Sequence, residues 1–374
     1  MIKMIGCQKG KQRRQIESTK RNEDTASLGH LIGAKTKSVM TNQSTTLGAL
    51  ATVFRFEYIC ATLPGLTITF FLCAKSPGEF VSRPVLEGLA IVALVVFSCL
   101  GINSIADFKI DQQYKTAKNR IPVAIGKLGL SRIRTIIVLL NLIALALTVD
   151  LCREFKSLIP LWLILADAFF AYGYSLPGMQ FKLRGVISHA VSLAMGTCVI
   201  PFVLSMYTYL GTVPASLGLF IVGFAVVQYG FEFANQSLDY LQDRDAGLKT
   251  PAVRLGVVGA LRAGIIVPVS GILIVFSALL LMYVEAAREI VPPKPDWIVL
   301  IAWLSTLFPL IAGYRLPIHR TWKMLRLCRD QPPESCVPLL PGLCHYWAWQ
   351  ASSVTGVALS AAAYWIVINN IWAP

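Results

Sequence analysis

The sequence predicts an all-α fold, a polytopic membrane bundle of about nine transmembrane helices around a central cavity. Three observations carry that prediction. Apolar residues make up 55% of the chain against 14% charged, which leaves too little polar surface for a soluble domain of this length. The apolar residues come in long blocks, not in amphipathic stripes. The links between the blocks alternate between basic and near-neutral.

A helix needs roughly 20 apolar residues to cross about 30 Å of hydrocarbon. Blocks of that order run over 48–74, 86–106, 132–152, 158–176, 187–209, 215–236, 256–284, 297–314 and 343–372. Lipid cannot satisfy free backbone N–H and C=O groups, so each block must be helical. Residues 1–46 are polar, basic and rich in Ser, Thr and Gln, the composition of a disordered tail. The chain thus divides into a tail, 1–46, and a membrane domain, 47–374. No apolar h-region precedes a cleavage site in the tail, so a signal peptide is not expected. An organellar membrane stays open, although Glu17, Glu23 and Asp24 interrupt the acid-poor composition of a transit peptide.

Charge orients the bundle. The tail carries Lys9, Lys11, Arg13, Arg14, Lys20, Arg21, Lys35 and Lys37. With nine spans, the links on its side are 107–131, 177–186, 239–255 and 315–342, each with several Lys or Arg. The opposite links, near 75–85, 153–157, 210–214 and 285–296, are short and close to neutral. Cytoplasmic loops carry the Lys/Arg excess, so the N-terminus and the basic loops are expected on the cytoplasmic side. The net charge of +14 is then mainly topogenic, with some attraction to anionic headgroups of the bilayer. It is dispersed among membrane links with no binding fold between them, so no nucleic-acid partner is expected. The nine cysteines show no zinc spacing and read as small core-filling residues.

The chemistry is concentrated at span ends. "GINSIADFKID", 101–111, closes the second block with Asn103, Asp107 and Asp111 at four-residue steps. Each step drifts only about 40° around a helix, so the three share a face. Carboxylates there repel one another unless water or a metal ion sits among them, and hard oxygen ligands of this kind suit Mg2+ together with substrate phosphates. The sixth block ends in "EFANQSLDYLQDRDAGLKTPAVRLG", where Asp239 and Asp243 again stand four apart, after Glu232, Asn235 and Gln236. Basic residues follow on the same side: Lys115, Lys118 and Arg120; Lys182 and Arg184 in "YSLPGMQFKLRG"; then Arg244, Lys249 and Arg254. Metal plus Lys and Arg around a diphosphate is how such a leaving group is stabilised. A site set in a lipid-embedded bundle suits an isoprenoid tail.

These stretches resemble the motifs of the UbiA superfamily of intramembrane prenyltransferases. "NSIADFKID" is similar to its first Asn/Asp-rich motif, "DYLQDRDAGLKT" to its second, and "YSLPGMQFKLRG" to its Tyr-Ser-x-Pro loop, in the family's order at the ends of spans two, four and six. The resemblance covers the chain from about Leu47 onward. It implies a cavity capped on the cytoplasmic side and two Mg2+ ions bridging a prenyl diphosphate to both acidic motifs. Carried over, Asn103, Asp107, Asp111, Asp239 and Asp243 hold metal. Lys118, Arg120, Lys182 and Lys249 bind diphosphate, and Tyr174 joins Asp107 and Asp239 in catalysis. The chain departs from the family at Ser104, at Ile121 between Arg120 and Pro122, and at Gln236, where an acid is common. The paired carboxylates survive, but the acceptor cannot be inferred.

The implied activity is ionisation of a prenyl diphosphate and transfer of the prenyl group to an aromatic or quinone-precursor, or lipid, acceptor. A terpene cyclase without a second substrate ionises the same diphosphate and is the alternative. A transporter with acidic gates is a third reading, set against acids that cluster at one membrane face rather than at mid-membrane breaks. Tyr58, Tyr172, Tyr174, Tyr229 and Phe231 are candidates to line the cavity and face a carbocation.

Overall fold

Lipid leaves an apolar block one way to satisfy its backbone, and in the computed structural model of the protein the described parts of every block are helical. The structure describes residues 45–56, 67–112, 120–289 and 295–371. The tail, expected over 1–46, lies outside them except for its last two residues. Among the described residues there are no strands.

The elements run α1 (Thr46–Val53), a helical stretch at 67–73, α2 (Arg83–Asp111), α3 (Arg120–Leu128), α4 (Leu130–Glu154) and α5 (Ile159–Gly173). They continue with α6 (Val186–Leu210), α7 (Ala215–Gln236), α8 (Tyr240–Asp245), α9 (Pro251–Glu289), α10 (Asp296–Ser305), α11 (Leu307–Cys328) and α12 (Tyr346–Ile366). Among the described residues, seven helical segments are long and apolar enough to cross a membrane, with α10 and α11 forming one of them. The fourth expected span is the shorter α5, 15 residues, because the chain turns away at Tyr174. The first expected span falls partly on 57–66, outside the described residues.

One expected link is corrected. Residues 315–342 were read as a loop, but α11 continues to Cys328. Tyr314, Pro317, Thr321, Met324 and Cys328 keep one face of it buried, at the three- and four-residue spacing of a packed helix. Arg315, Lys323 and Arg326 alternate with that face.

Small residues let the helices approach. A Cβ on Gly271 of α9 would stand 2.6 Å from the Val227 nitrogen and 2.7 Å from the Gly223 oxygen of α7. Gly313 of α11 meets Gly356 of α12 in the same way. Such contacts bring transmembrane backbones together without a water-driven hydrophobic force. α6 contains a π-helical turn, Met195–Val199, and its Gly196 lies against the backbone of Ala171 in α5. That contact seats the first turn of α6 beside the end of α5. Phe220, Phe224 and Phe231 of α7 fill the centre against α9, α11 and α12. Leu142, Trp162, Ile266, Leu273 and Phe308 are exposed, the girdle expected toward lipid.

Candidate active site

The last turns of α2 carry Asn103, Asp107 and Asp111 on one face. Asp111 is buried. Asp107 forms an ion pair with Lys182, with the two side chains 21% and 15% exposed. Lys182 arrives there through a chain reversal after α5. Gly178 and Gly185 take left-handed φ values of 90° and 127°, which a glycine adopts without strain. The Lys182 amide donates to the Tyr174 carbonyl at 3.3 Å, folding the loop back over the helix end. Phe181 closes on Gly173, where any Cβ would collide with it.

Asn103 ties this loop to α2 and α1. With its amide nitrogen donating to Asp107 Oδ2 at 2.9 Å and to Ser175 Oγ at 2.6 Å, its oxygen accepts from Arg55 Nη2 at 3.3 Å. Span two, the loop after span four and the end of α1 therefore meet at one polar patch.

α7 ends at Gln236, where the sixth apolar block ends, and the second motif lies on the link beyond it, with Asp239 opening the separate short helix α8. Ser237 Oγ turns back to the Phe233 carbonyl at 2.9 Å, the kind of local bond that competes with helix propagation. Asp243 follows one turn later, buried, with its amide donating to the Asp239 carbonyl at 2.8 Å and its carbonyl accepting from Leu248 at 2.9 Å.

A line of buried and half-buried polar groups runs between the two motifs. Tyr174 Oη lies 3.0 Å from His189 Nε2, and Gln236 Nε2 lies 2.6 Å from the same nitrogen. Gln236 reaches Glu232 at 3.5 Å, and Asn235 reaches it at 3.3 Å. Lys182 stands over the Tyr174 ring, 5.8 Å from its centre.

The structure thus brings Asn103, Asp107, Tyr174 and Lys182 together. Lys118 lies outside the described residues. Arg120 is half-buried at the start of α3, and Lys249 is exposed on the link into α9, its carbonyl accepting from Arg254 Nε at 3.2 Å. Arg244 is committed elsewhere, to Asp245 at 3.1 Å and to Glu334 at 2.6 Å. That hydrogen bond to Arg244 holds the Glu334 carboxyl below its ordinary value. Of the cavity candidates, Tyr172 donates to Asn141, and Phe231 packs fully buried against Tyr314. Tyr229 donates to the Val186 carbonyl at 3.2 Å. Tyr58 is outside the described residues.

Sequence reasoning missed Arg55, Ser175 and His189. Arg55 carried a signal, as a cation inside an apolar block. His189 carried none beyond its place in a span.

Among the described residues, no three His, Cys, Asp or Glu side chains stand together as a ready-made metal cage. The donors on α2 and α8 are hard oxygens, one or two carboxylates per element. That set fits Mg2+, which keeps waters and takes substrate phosphates as ligands instead of filling an all-protein cage. An ammonium already rests on Asp107, so the position is one that accommodates positive charge.

The family model for the UbiA prenyltransferase family matches residues 64–336. Among solved structures, a UbiA homologue from Archaeoglobus fulgidus bound to DMAPP and Mg2+ is 17% identical, with a TM-score of 0.55, covering 86% of this chain and 99% of its own. The same homologue bound to GPP and Mg2+ is also 17% identical, with a TM-score of 0.53 and the same coverage. A digeranylgeranylglyceryl phosphate synthase structure is 14% identical, with a TM-score of 0.51, over 85% of this chain and 99% of its own. These likenesses establish a shared fold. No curated protein sequence matches the chain.

Proposed function

The chain belongs to the UbiA prenyltransferase family, and on that premise we propose that it ionises a prenyl diphosphate and transfers the prenyl group to a hydrophobic acceptor, aromatic or lipid. It is a multi-pass integral membrane protein. The reading sets the N-terminus and the site-bearing loops on the cytoplasmic side. Tail 1–46 and membrane domain 47–374 remain its division of the chain.

The observation that carries the reading is the meeting of Lys182 with Asp107, Asn103 and Ser175, side chains from separate elements at one end of the bundle. Asn103, Asp107 and Asp111 on α2, with Asp239 and Asp243 around α8, are assigned to hold Mg2+. When bound, Mg2+ draws charge out of the diphosphate. The solved homologue's binding of GPP or DMAPP with Mg2+ supports that assignment.

In this reading Lys182 has two states. Without substrate it neutralises Asp107. With substrate it turns its ammonium to the diphosphate oxygens, which gain charge as the allylic C–O bond breaks. Arg120, Lys118 and Lys249 supply further positive charge to the same group. Tyr174 sits one residue from Ser175, its ring under the Lys182 ammonium, and presents a π face and a hydroxyl to the reacting carbon.

The test is Mg2+-dependent diphosphate release by the purified chain in lipid nanodiscs, with Asp107→Ala and Asp239→Ala as variants. Both should lose release while remaining folded. Full activity in either, or release unaffected by excess chelator, refutes the reading. Product analysis with and without acceptors separates transfer from cyclisation.

A further inference from the structure

His189 is buried, 1% exposed, and no part of the diphosphate site described above uses it. The Gln236 amide nitrogen faces both the Glu232 carboxylate, at 3.5 Å, and His189 Nε2, at 2.6 Å. Facing a carboxylate, that atom is the donor end of the amide. A ring nitrogen that receives an N–H carries no proton of its own. With the Gln236 amide turned this way, His189 is protonated at Nδ1 and the Tyr174 hydroxyl, 3.0 Å away, faces Nε2 as donor. The rings of Tyr174 and Tyr229 flank the imidazole, with centres 5.3 and 5.7 Å away. Nδ1 is buried without a hydrogen-bond partner among the described residues, and both polar contacts of the ring fall on Nε2.

We infer that His189 is the base behind Tyr174, taking the proton released when the prenyl group is captured. The inference rests on the prenyl-transfer reading and deepens it. An acceptor carrying an O–H or an arene C–H forms a bond to C1 of the prenyl group. The C1–O bond breaks, and its electron pair leaves on diphosphate. The acceptor then holds one proton too many. That proton passes to the Tyr174 oxygen as the Tyr174 hydroxyl proton passes to Nε2. The imidazolium has a receiver ready: Gln236 Oε1, also without a hydrogen-bond partner among the described residues, faces it on rotation of the amide. Product exit then lets the proton go to water. Lys182 does not serve as this base, since its ammonium is held by Asp107 without substrate and by the diphosphate oxygens with it. The charged and titratable groups from the surrounding elements are Tyr174 and Lys182 after α5, Tyr229 and Glu232 on α7, and Arg254 on α9, whose guanidinium lies over Gly185. His189 acts through Tyr174 and is a positioning and relay residue.

The test uses the full chain in lipid nanodiscs with Mg2+, geranyl, farnesyl or geranylgeranyl diphosphate, and 1-naphthol as a model nucleophile. Three outputs are followed: diphosphate release, proton-loss products (coupled naphthol or olefin) and prenyl alcohol from capture by water. His189→Gln keeps an acceptor toward Tyr174 but cannot take a proton. It should lose proton-loss products on the order of 10²-fold more than diphosphate release, the scale of a removed general base, with prenyl alcohol rising to replace them. Tyr174→Phe should match it, and the double variant should be no worse than either, as for residues acting as a unit. A wild-type product ratio in His189→Gln overturns the inference. So does an equal loss of release and coupling, which marks a structural role, or prenyl alcohol alone from the wild type. Absence of diphosphate release from the wild type refutes the prenyl-transfer reading itself.

Discussion

Replacing Lys182 with Met removes the one ammonium seen on Asp107 while keeping an unbranched side chain of similar reach. The stability cost follows from the site. A fully exposed pair contributes about 0–1 kcal/mol, and removing one partner of a fully buried pair costs roughly 3–5 kcal/mol. This pair is mostly buried, at 15% and 21% exposed, and the Asn103 amide remains on Asp107 Oδ2 at 2.9 Å. The expected cost is about 2 kcal/mol, between those limits. For a chain of this size that lowers the thermal midpoint by about 3 °C. The double variant with Asp107→Asn should recover most of it, because no uncompensated charge remains. Mg2+ alone should raise the midpoint of Lys182→Met more than that of the wild type, since the carboxylate is no longer held by an ammonium, and should raise that of the double variant least. The assay is thermal unfolding in lipid nanodiscs at one scan rate, with and without Mg2+. Diphosphate substrate affinity should fall as well, by the ~1.5–3 kcal/mol of a lost charge-assisted hydrogen bond. An unchanged midpoint in Lys182→Met, or equal Mg2+ stabilisation of all three proteins, refutes the argument that Lys182 and metal compete for Asp107.

Gly271→Ala should destabilise the α7–α9 contact by about 1–3 kcal/mol, because its Cβ meets backbone atoms at 2.6 and 2.7 Å; Gly218→Ala, with open space around it, is the control and should be neutral or slightly stabilising. Single cysteines at Gly178, Gly247 and Ser335, in a chain stripped of native cysteines, should react with a membrane-impermeant thiol reagent from the cytoplasmic side only. Opposite-side labelling of Gly178 and Gly247 would separate the two motifs and dismantle the shared site. The Arg244–Glu334 tie should be fully present above the ordinary carboxylate value of 4.5 and be lost as pH falls through the depressed value of Glu334. Protease cleavage in the link after α11 should rise in that range, and an acid-independent cleavage rate would remove the tie from consideration.

The sequence by itself determined the solvent, the helical class and the chemistry at the span ends. Each follows from a short-range rule. Backbone groups in hydrocarbon have no partner but their own helix, so an apolar block of span length predicts a helix. Four-residue spacing puts Asn103, Asp107 and Asp111 on one face of any helix. The motif pattern of the family was legible for the same reason, being local in the chain. Tertiary structure decided what those side chains meet. The pairing of Lys182 with Asp107 depends on a loop reversed at Gly178 and Gly185, and on Phe181 closing over Gly173. The short helix Tyr240–Asp245 that carries Asp243 lies in a link that hydropathy alone leaves without structure. α11 outlasts its apolar block because its buried face continues against neighbours that hydropathy does not see. His189 is a single imidazole among apolar and small polar residues of its span until Gly196 seats α6 against Ala171, bringing its Nε2 to Tyr174 and Gln236. Its role comes from contacts across distant elements, and no periodicity in the chain records those.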